Sequence, residues 1–331
     1  MKKPNIAFSL FAATAFSFSA YAPFALANEA VESWPDRAVT WVVPFPPGGA
    51  MDVMARAIGE DLSRDLGQPF VIENKPGAGG NIGAQYVAKQ KPDGYTMMIT
   101  SIGMATNAHL YSNLAYDPIK DFDPVTLLAV VPNVLVVNAN NKDFNTIDDV
   151  IQKTRDNPGK YTYASAGNGT SIHLAGASFA SLINAEILHI PYKGSSPAVM
   201  DLLAGQVDMM FDSITSAKTH IDSGKLKALG LTTATPSATL PDVPPLAKAG
   251  VPDYEVSPWF AIFVPANTPP ALVDKMNKAL LKSLEKTEIK QRLANIGAES
   301  VGSSPAEMKQ HLSTETTRWG DLIKKIGIRL D

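Results

Sequence analysis

Phe45-Pro46-Pro47-Gly48-Gly49-Ala50-Met51-Asp52 and Ser165-Ala166-Gly167-Asn168-Gly169-Thr170-Ser171 are two short loops with matching surroundings. Each follows an apolar run, 39–44 and 161–164, of the length of a buried strand. Each opens a stretch with apolar residues at helical spacing. These are Val53, Met54, Ala57, Ile58 and Leu62 after the first, and Ile172, Leu174, Ala175, Phe179 and Leu182 after the second. The chain thus twice builds a strand, a glycine-bearing turn and a helix N-terminus. Such an end leaves its first N–H groups unpaired and carries partial positive charge. Small residues there let an anion reach the backbone. Either loop alone reads as the ordinary turn of an α/β protein. Paired across a cleft, they read as a grip on a ligand with negative groups.

The N-terminus starts Met1-Lys2-Lys3, runs apolar and small over 6–25 and ends in Ala25-Leu26-Ala27. This is the layout of a secretory signal peptide over 1–27, with cleavage expected after Ala27. Ser9, Thr14, Ser17 and Ser19 dilute the run and Pro23 interrupts it, which weakens the reading as a membrane anchor. The chain has no cysteine, so disulfides, thiol nucleophiles and thiolate metal sites are excluded. The formal charge is −3, and loss of Lys2 and Lys3 with the leader makes the remainder more acidic. Nucleic-acid binding, which needs a basic stripe, is not expected.

Strand candidates lie at 39–43, 70–73, 95–100, 134–138, 161–164, 186–190, 207–211, 227–231 and 261–264. Helix candidates lie between them at 51–66, 81–89, 147–155, 171–183, 196–203, 217–223, 270–284 and 305–326. The alternation predicts mostly parallel sheets covered by helices on both faces. No fixed-period repeat is evident. An apolar stretch at 125–131 before Pro132, and the segment 254–260 after a proline-rich region, read as two crossings between domains. Lobe I is then expected over 28–129 plus 257–331, and lobe II over 130–256. Two strands of chain between α/β lobes make a ligand-closing hinge; two unrelated core strands are the plainer alternative.

The segments FPPGGAMDVMAR (45–56), VIENKPGAGGNIGA (71–84), KPDGYTM (91–97), YASAGNGTSIHLAG (163–176), IPYKGSSPAVMDLLAGQVDMMFD (190–212) and LPDVPPLAKAG (240–250) closely resemble the Bug family. Its members are the periplasmic substrate-binding receptors of tripartite tricarboxylate transporters. The resemblance runs in order through the whole chain after the leader. It implies an α/β type II periplasmic-binding-protein fold, two lobes joined by two hinge crossings. It further implies a small mono-, di- or tricarboxylate ligand, aromatic ones included, and delivery to integral membrane transporter subunits. A periplasmic monomer without catalysis, cofactor or metal is expected. In the family the carboxylate is held by backbone N–H groups, hydroxyls and water rather than by an arginine clamp.

The candidate ligand-binding residues follow from the two loops. In the first they are Phe45, Pro47, Gly48, Gly49 and Asp52. Gly48, Gly49 and Ala50 cannot shield the helix amides, while Asp52 would repel an anion and reads as an organiser of the loop. In the second they are Ser165, Ala166, Gly167, Gly169, Thr170 and Ser171, with hydroxyl donors and tight glycine geometry. Thr170 or Ser171 can equally serve as a helix cap. His173 lies one turn into the following helix. Ser101 and Asn107, after the strand at 95–100, and Asp212, after that at 207–211, are expected to edge the cleft. Asp212 is as suited to capping the next helix. Phe45 and Trp259 are placed to stack on a planar ligand, although core packing is the commoner fate of such residues.

The run 75–81, Lys75-Pro76-Gly77-Ala78-Gly79-Gly80-Asn81, fails as a dinucleotide fingerprint because Ile82 stands where a glycine is needed. It reads instead as a turn delivering Asn81 as a helix cap. No His-Glu-x-x-His spacing or similar metal signature exists. A secreted hydrolase with Ser165 or Ser171 as nucleophile and His173 as base is the enzymatic alternative. It lacks the first glycine of a nucleophile elbow and a nearby orienting acid. A sensory carboxylate-binding protein would share the receptor fold.

Overall fold

The computed structural model describes residues 31–330. The leader expected over 1–27 lies outside them. The described residues divide into two units, 31–34 and 35–330. In the first, 31–33 are helical; the second carries both sheets.

The chain begins β1 (Val39–Val43), α1 (Ala50–Leu66), β2 (Phe70–Asn74), α2 (Asn81–Ala88), β3 (Thr96–Thr100), α3 (Gly103–Leu110) and β4 (Phe122–Val130). There follow β5 (Asn133–Asn138), α4 (Ile147–Asp156), β6 (Thr162–Ser165), α5 (Ser171–Leu182), β7 (Leu188–Pro191), α6 (Ser195–Leu203), β8 (Met209–Ser213), α7 (Ile214–Asp222) and β9 (Leu226–Leu231). It ends β10 (Trp259–Pro265), α8 (Pro270–Glu285), α9 (Thr287–Asn295), β11 (Glu299–Ser300) and α10 (Pro305–Ile326). Strands such as β1 and β5 are near-continuous apolar runs because helices cover both sheet faces. Helix starts are set locally. Thr146 with Asp149, and Ser304 with Glu307, form reciprocal capping boxes at α4 and α10.

Two sheets result, ordered β11-β4-β10-β3-β1-β2 and β7-β6-β8-β5-β9. In the first, β1 lies parallel between β2 and β3, and β10 runs antiparallel between β3 and β4. In the second, β6 lies parallel between β7 and β8, and β5 runs antiparallel between β8 and β9. The two lobes therefore repeat one topology, although no sequence period announces it. Each contributes a strand that arrives from the other lobe and runs against its neighbours. The carboxyl ends of the parallel strands carry the loops, where α/β sheets place ligands.

Most of the apolar stretch at 125–131 belongs to β4, so Val131 and Pro132 alone connect it to β5. The return leaves β9 at Leu231 and enters β10 at Trp259. Val131 N donates to Pro258 O (3.2 Å), and Thr232 N to Asn133 O (2.9 Å), so the crossings lie side by side. Tyr254 is buried against Phe179 and Phe211 and donates to Ala175 O (3.0 Å), which anchors the return segment on the second lobe. Two helices, α3 and α9, were not expected. Gly103-Met-Ala-Thr-Asn-Ala-His-Leu110 has no apolar stripe, yet Met104, Ala105, Thr106, Asn107 and Leu110 are buried in place.

Candidate functional site

The first loop is held from behind by one carboxylate. Asp52 accepts from Gly48 N (3.0 Å), Asn74 Nδ2 (3.0 Å) and Arg56 Nε (3.0 Å). Asn74 Nδ2 also donates to Phe45 O (2.9 Å), tying the loop to β2. Burial would raise the pKa of Asp52. Hydrogen bonds from Arg56, Gly48 and Asn74, with the Arg56 charge, outweigh it and hold the carboxyl below its ordinary value. The amide of Gly48 is thus spent on Asp52. The open amides are those of Ala50, Met51 and Asp52, since α1 makes its first bond from Val53 N to Gly49 O (3.1 Å) and has no side-chain cap.

A buried polar cluster shapes the second loop. Ser165 Oγ accepts from Gly167 N (3.1 Å) and lies 2.7 Å from His189 Nε2. Gly169 N donates to His173 Nδ1 (3.2 Å). The two imidazoles stack with centroids 4.0 Å apart. Burial lowers the pKa of His173 to about 4; burial, then the neighbouring ring, lowers that of His189 to about 3. Both rings are neutral at pH 7, as acceptance at Nδ1 requires of His173. Thr170 caps α5, accepting from His173 N (3.3 Å), and its own proton goes to Gly167 O (2.7 Å). Ser171 and Ile172 open the helix beyond it.

These ends meet three further helix starts. Helix α6 follows Gly194 without a side-chain cap, presenting Ser195 and Ser196. Helix α3 begins after Ser101 and Ile102, and α7 after Ser213, which accepts from Thr215 N (3.3 Å). Together they line a cleft of about 90 Å³. Its floor includes Asn107 and Tyr116, which both donate to Asn81 Oδ1 (2.6 and 2.7 Å). Burial pushes the Tyr116 hydroxyl up to about 12, so it stays a neutral donor. Ser101 Oγ is buried without a partner among the described residues, at the cleft wall.

Of the residues singled out in the sequence, Phe45, Gly49, Asp52, Ser101, Asn107, Ala166, Gly169, Thr170 and Ser171 line this cleft. Pro47, Gly48, Ser165, Gly167, His173 and Asp212 are not among its lining residues. Pro47 and Gly48 are exposed at the loop tip. Gly167 lines an adjoining cavity beyond Gly79, with Tyr111, Tyr192 and Lys193. Ser165 and His173 lie beneath the loop they support. Asp212 is buried behind the wall and accepts from Ser216 Oγ (2.5 Å); burial pushes its pKa up to about 6. The next helix is capped by Ser213, not Asp212.

Three expectations need correction. Asn81 is not a cap: α2 follows Gly80, and the Asn81 side chain serves Asn107 and Tyr116 instead. Trp259 is 2% exposed and donates to Glu315 Oε2 (2.9 Å), away from the cleft. Its neighbour Phe260 lines the cleft because successive strand residues face opposite sides. As for a serine nucleophile, Ser165 is fully buried and its histidine neighbour is His189 rather than His173. Sequence reading missed Asn133, Ser195 and Ser196. The string Lys193-Gly194-Ser195-Ser196 after β7 repeats the strand, glycine, helix pattern and was the available signal.

The sequence profile described as "tripartite tricarboxylate transporter family receptor" matches residues 54–328. The chain belongs to that family. This span of the receptor runs from within α1 to beyond α10 and takes in both lobes. The receptor is 43% identical over 294 residues to the "UPF0065 protein in tcbD-tcbE intergenic region" of Pseudomonas sp. (strain P51), covering 88% of this chain and 87% of that one. The solved periplasmic binding protein BugD superposes with a TM-score of 0.85 at 36% identity, covering 89% and 99% of the two chains. R. palustris Rpa4515 with adipate superposes with a TM-score of 0.86 at 38% identity, again covering 89% and 99%. The receptor shares their two-lobed periplasmic-binding-protein fold. Relatives of this kind are binding proteins.

Proposed function

We propose that the protein is a periplasmic receptor that closes two lobes on a small organic carboxylate and presents it to the membrane subunits of a tripartite transporter. The observation that carries this reading is the convergence of uncapped helix starts from both lobes on one cleft whose lining, among the described residues, holds no lysine, arginine or histidine. Each helix end contributes about 0.3–1 kcal/mol to a nearby anion at a surface, up to about 2 when partly buried. Several acting together, with Ser101 and the serines of the second lobe as donors, hold a carboxylate without a cation. Adipate in the related Rpa4515 supports the ligand class.

Lobe I over 28–129 plus 257–331 and lobe II over 130–256 are the moving bodies in this reading, with the crossings as hinge. Ser165 is fully buried and its neighbour His189 neutral, so that pair lies beneath the loop and out of reach of a bound ligand. Calorimetric titration with benzoate, adipate and citrate tests the reading. Saturable binding of at least one acid with a matching rise in melting temperature is expected; absence of heat and of stabilisation for every carboxylate refutes it.

A further inference from the structure

Behind the cleft wall of the second lobe stands a carboxyl group with no cation set against it. Asp212, near the end of β8, has no exposed surface. Ser216 Oγ donates to its Oδ2 (2.5 Å). The Ser195 hydroxyl and the Ser213 amide are its other polar neighbours. Oδ1 completes no hydrogen bond with either, nor with any other described residue, and is shut off from solvent. Both Ser195 and Ser213 line the cleft, so a single layer of serine separates this carboxyl from a bound ligand.

The elements packed on β8 bring it no counter-charge. Strand β5 carries no titratable side chain. Tyr163 of β6 and His173 of α5 are uncharged, since burial raises the one and lowers the other. Asp201 of α6 accepts from the Tyr192 hydroxyl (2.7 Å). On α7, Lys218 is paired with Asp222 (2.7 Å), and His220 stands in the last turn. None of these charges acts on Asp212, so burial dominates and pushes its pKa up to about 6.

An ionised carboxylate can only accept, so a charged Asp212 draws the Ser195 proton back from the cleft. A ligand carboxylate at the start of α6 competes for that proton and adds a second negative charge nearby. Like charges so close are not both kept ionised. A proton from solvent on Oδ1 ends both conflicts. The new O–H donates to Ser195 Oγ, and the Ser195 hydroxyl turns its own hydrogen to the ligand. No other bond changes.

We propose that Asp212 couples ligand capture to uptake of one proton, as a positioning residue that frees the Ser195 hydroxyl for the carboxylate. This rests on the carboxylate-receptor reading above. Calorimetry of adipate and benzoate at pH 7, in buffers of different ionisation enthalpy, reads the uptake directly. Both acids are ionised there, so a proton taken up goes to the protein. At least about half a proton per ligand is expected, with a dissociation constant at least about fivefold larger at pH 8 than at pH 6.5. His173 and His189 stay neutral throughout this range. Asp212→Asn keeps an acceptor and supplies the donor permanently. It should abolish the uptake, flatten the pH profile and bind more tightly than the natural chain at pH 8. Heats independent of buffer in the natural chain, or an uptake that survives in the variant, overturn the proposal and leave the receptor reading intact. The buffer and pH measurements decide the matter even where the variant does not fold. If neither these acids nor citrate binds, the receptor reading falls and this inference with it.

Discussion

Gly79 and Asn168 meet from opposite lobes so closely that a Cβ on Gly79 would overlap the Asn168 carbonyl oxygen. Nearby, a Cβ on Gly194 would stand 2.9 Å from Pro46 Cδ, and one on Gly48 would touch Ser196 Oγ at 3.5 Å. Thr106 Oγ1 reaches Gly169 O across the same gap at 3.5 Å. The lobes therefore touch along a seam rich in glycine. In Gly79 the seam also uses a backbone at φ +64°, which favours glycine.

Gly79→Ala should therefore prop the lobes apart. The left-handed backbone costs about 1–2 kcal/mol in any state, but the overlap with Asn168 arises only on closure. We expect ligand affinity to drop at least about tenfold while the unliganded protein loses no more than that backbone cost. Titration and urea denaturation of the variant separate the two; an unchanged dissociation constant would contradict the tight seam.

Ser101 and Thr170 should part company on substitution. The Thr170 hydroxyl already caps α5 and donates to Gly167 O, so Thr170→Ala should cost about 1 kcal/mol of stability with a lesser effect on binding. Ser101 Oγ has no partner to lose among the described residues. Ser101→Ala should leave stability level and weaken carboxylate binding by about 1.5–3 kcal/mol. Denaturation and calorimetry on both variants check this; the reverse pattern would show Ser101 to be structural.

His173 and His189 set a pH dependence. Their folded pKa values, about 4 and about 3, lie below the ordinary imidazole value, which the unfolded chain keeps at about 6.5. Between these limits the unfolded state binds more protons, so stability rises with pH and is lost as pH falls from about 6.5 towards about 4. The slope is at most about 1.4 kcal/mol per pH unit for each ring. Urea denaturation between pH 7 and 5 should show it, and His189→Gln should reduce it. Ring resonances of the folded protein titrating near pH 6.5 would contradict the buried pair.

How far the site was legible in the sequence depends on how local its signals are. The loops after β1 and β6 stood out because a strand, a glycine turn and a helix start are contiguous. Ser165 joining His189, or Asp52 joining Asn74, depends on the fold bringing separate segments together, so no spacing rule reveals which amides are already taken. Trp259 and Phe260 differ by one step of a strand whose facing is set by its neighbours in the sheet. Helix α3 owes its form to burial on both sides rather than to an apolar stripe. The repeated lobe topology left no trace because strand order constrains hydrophobicity, not residue identity.

Closure about the segments at 131–132 and 255–258 should compact the protein without changing its secondary structure. Small-angle scattering with a saturating acid should show a smaller radius of gyration at constant far-ultraviolet circular dichroism. Tight binding with superimposable scattering profiles would mean a preformed pocket.

The most direct test asks whether the cleft recognises a carboxylate as such. Hexanoate, benzoate and adipate are each titrated beside the corresponding uncharged amide, which keeps the shape and removes the charge. Helix starts and hydroxyls aimed at an anion predict saturable binding of at least one acid, with its amide at least about a hundredfold weaker. An amide that binds as well as its acid, or three acids that fail to bind, would contradict the account.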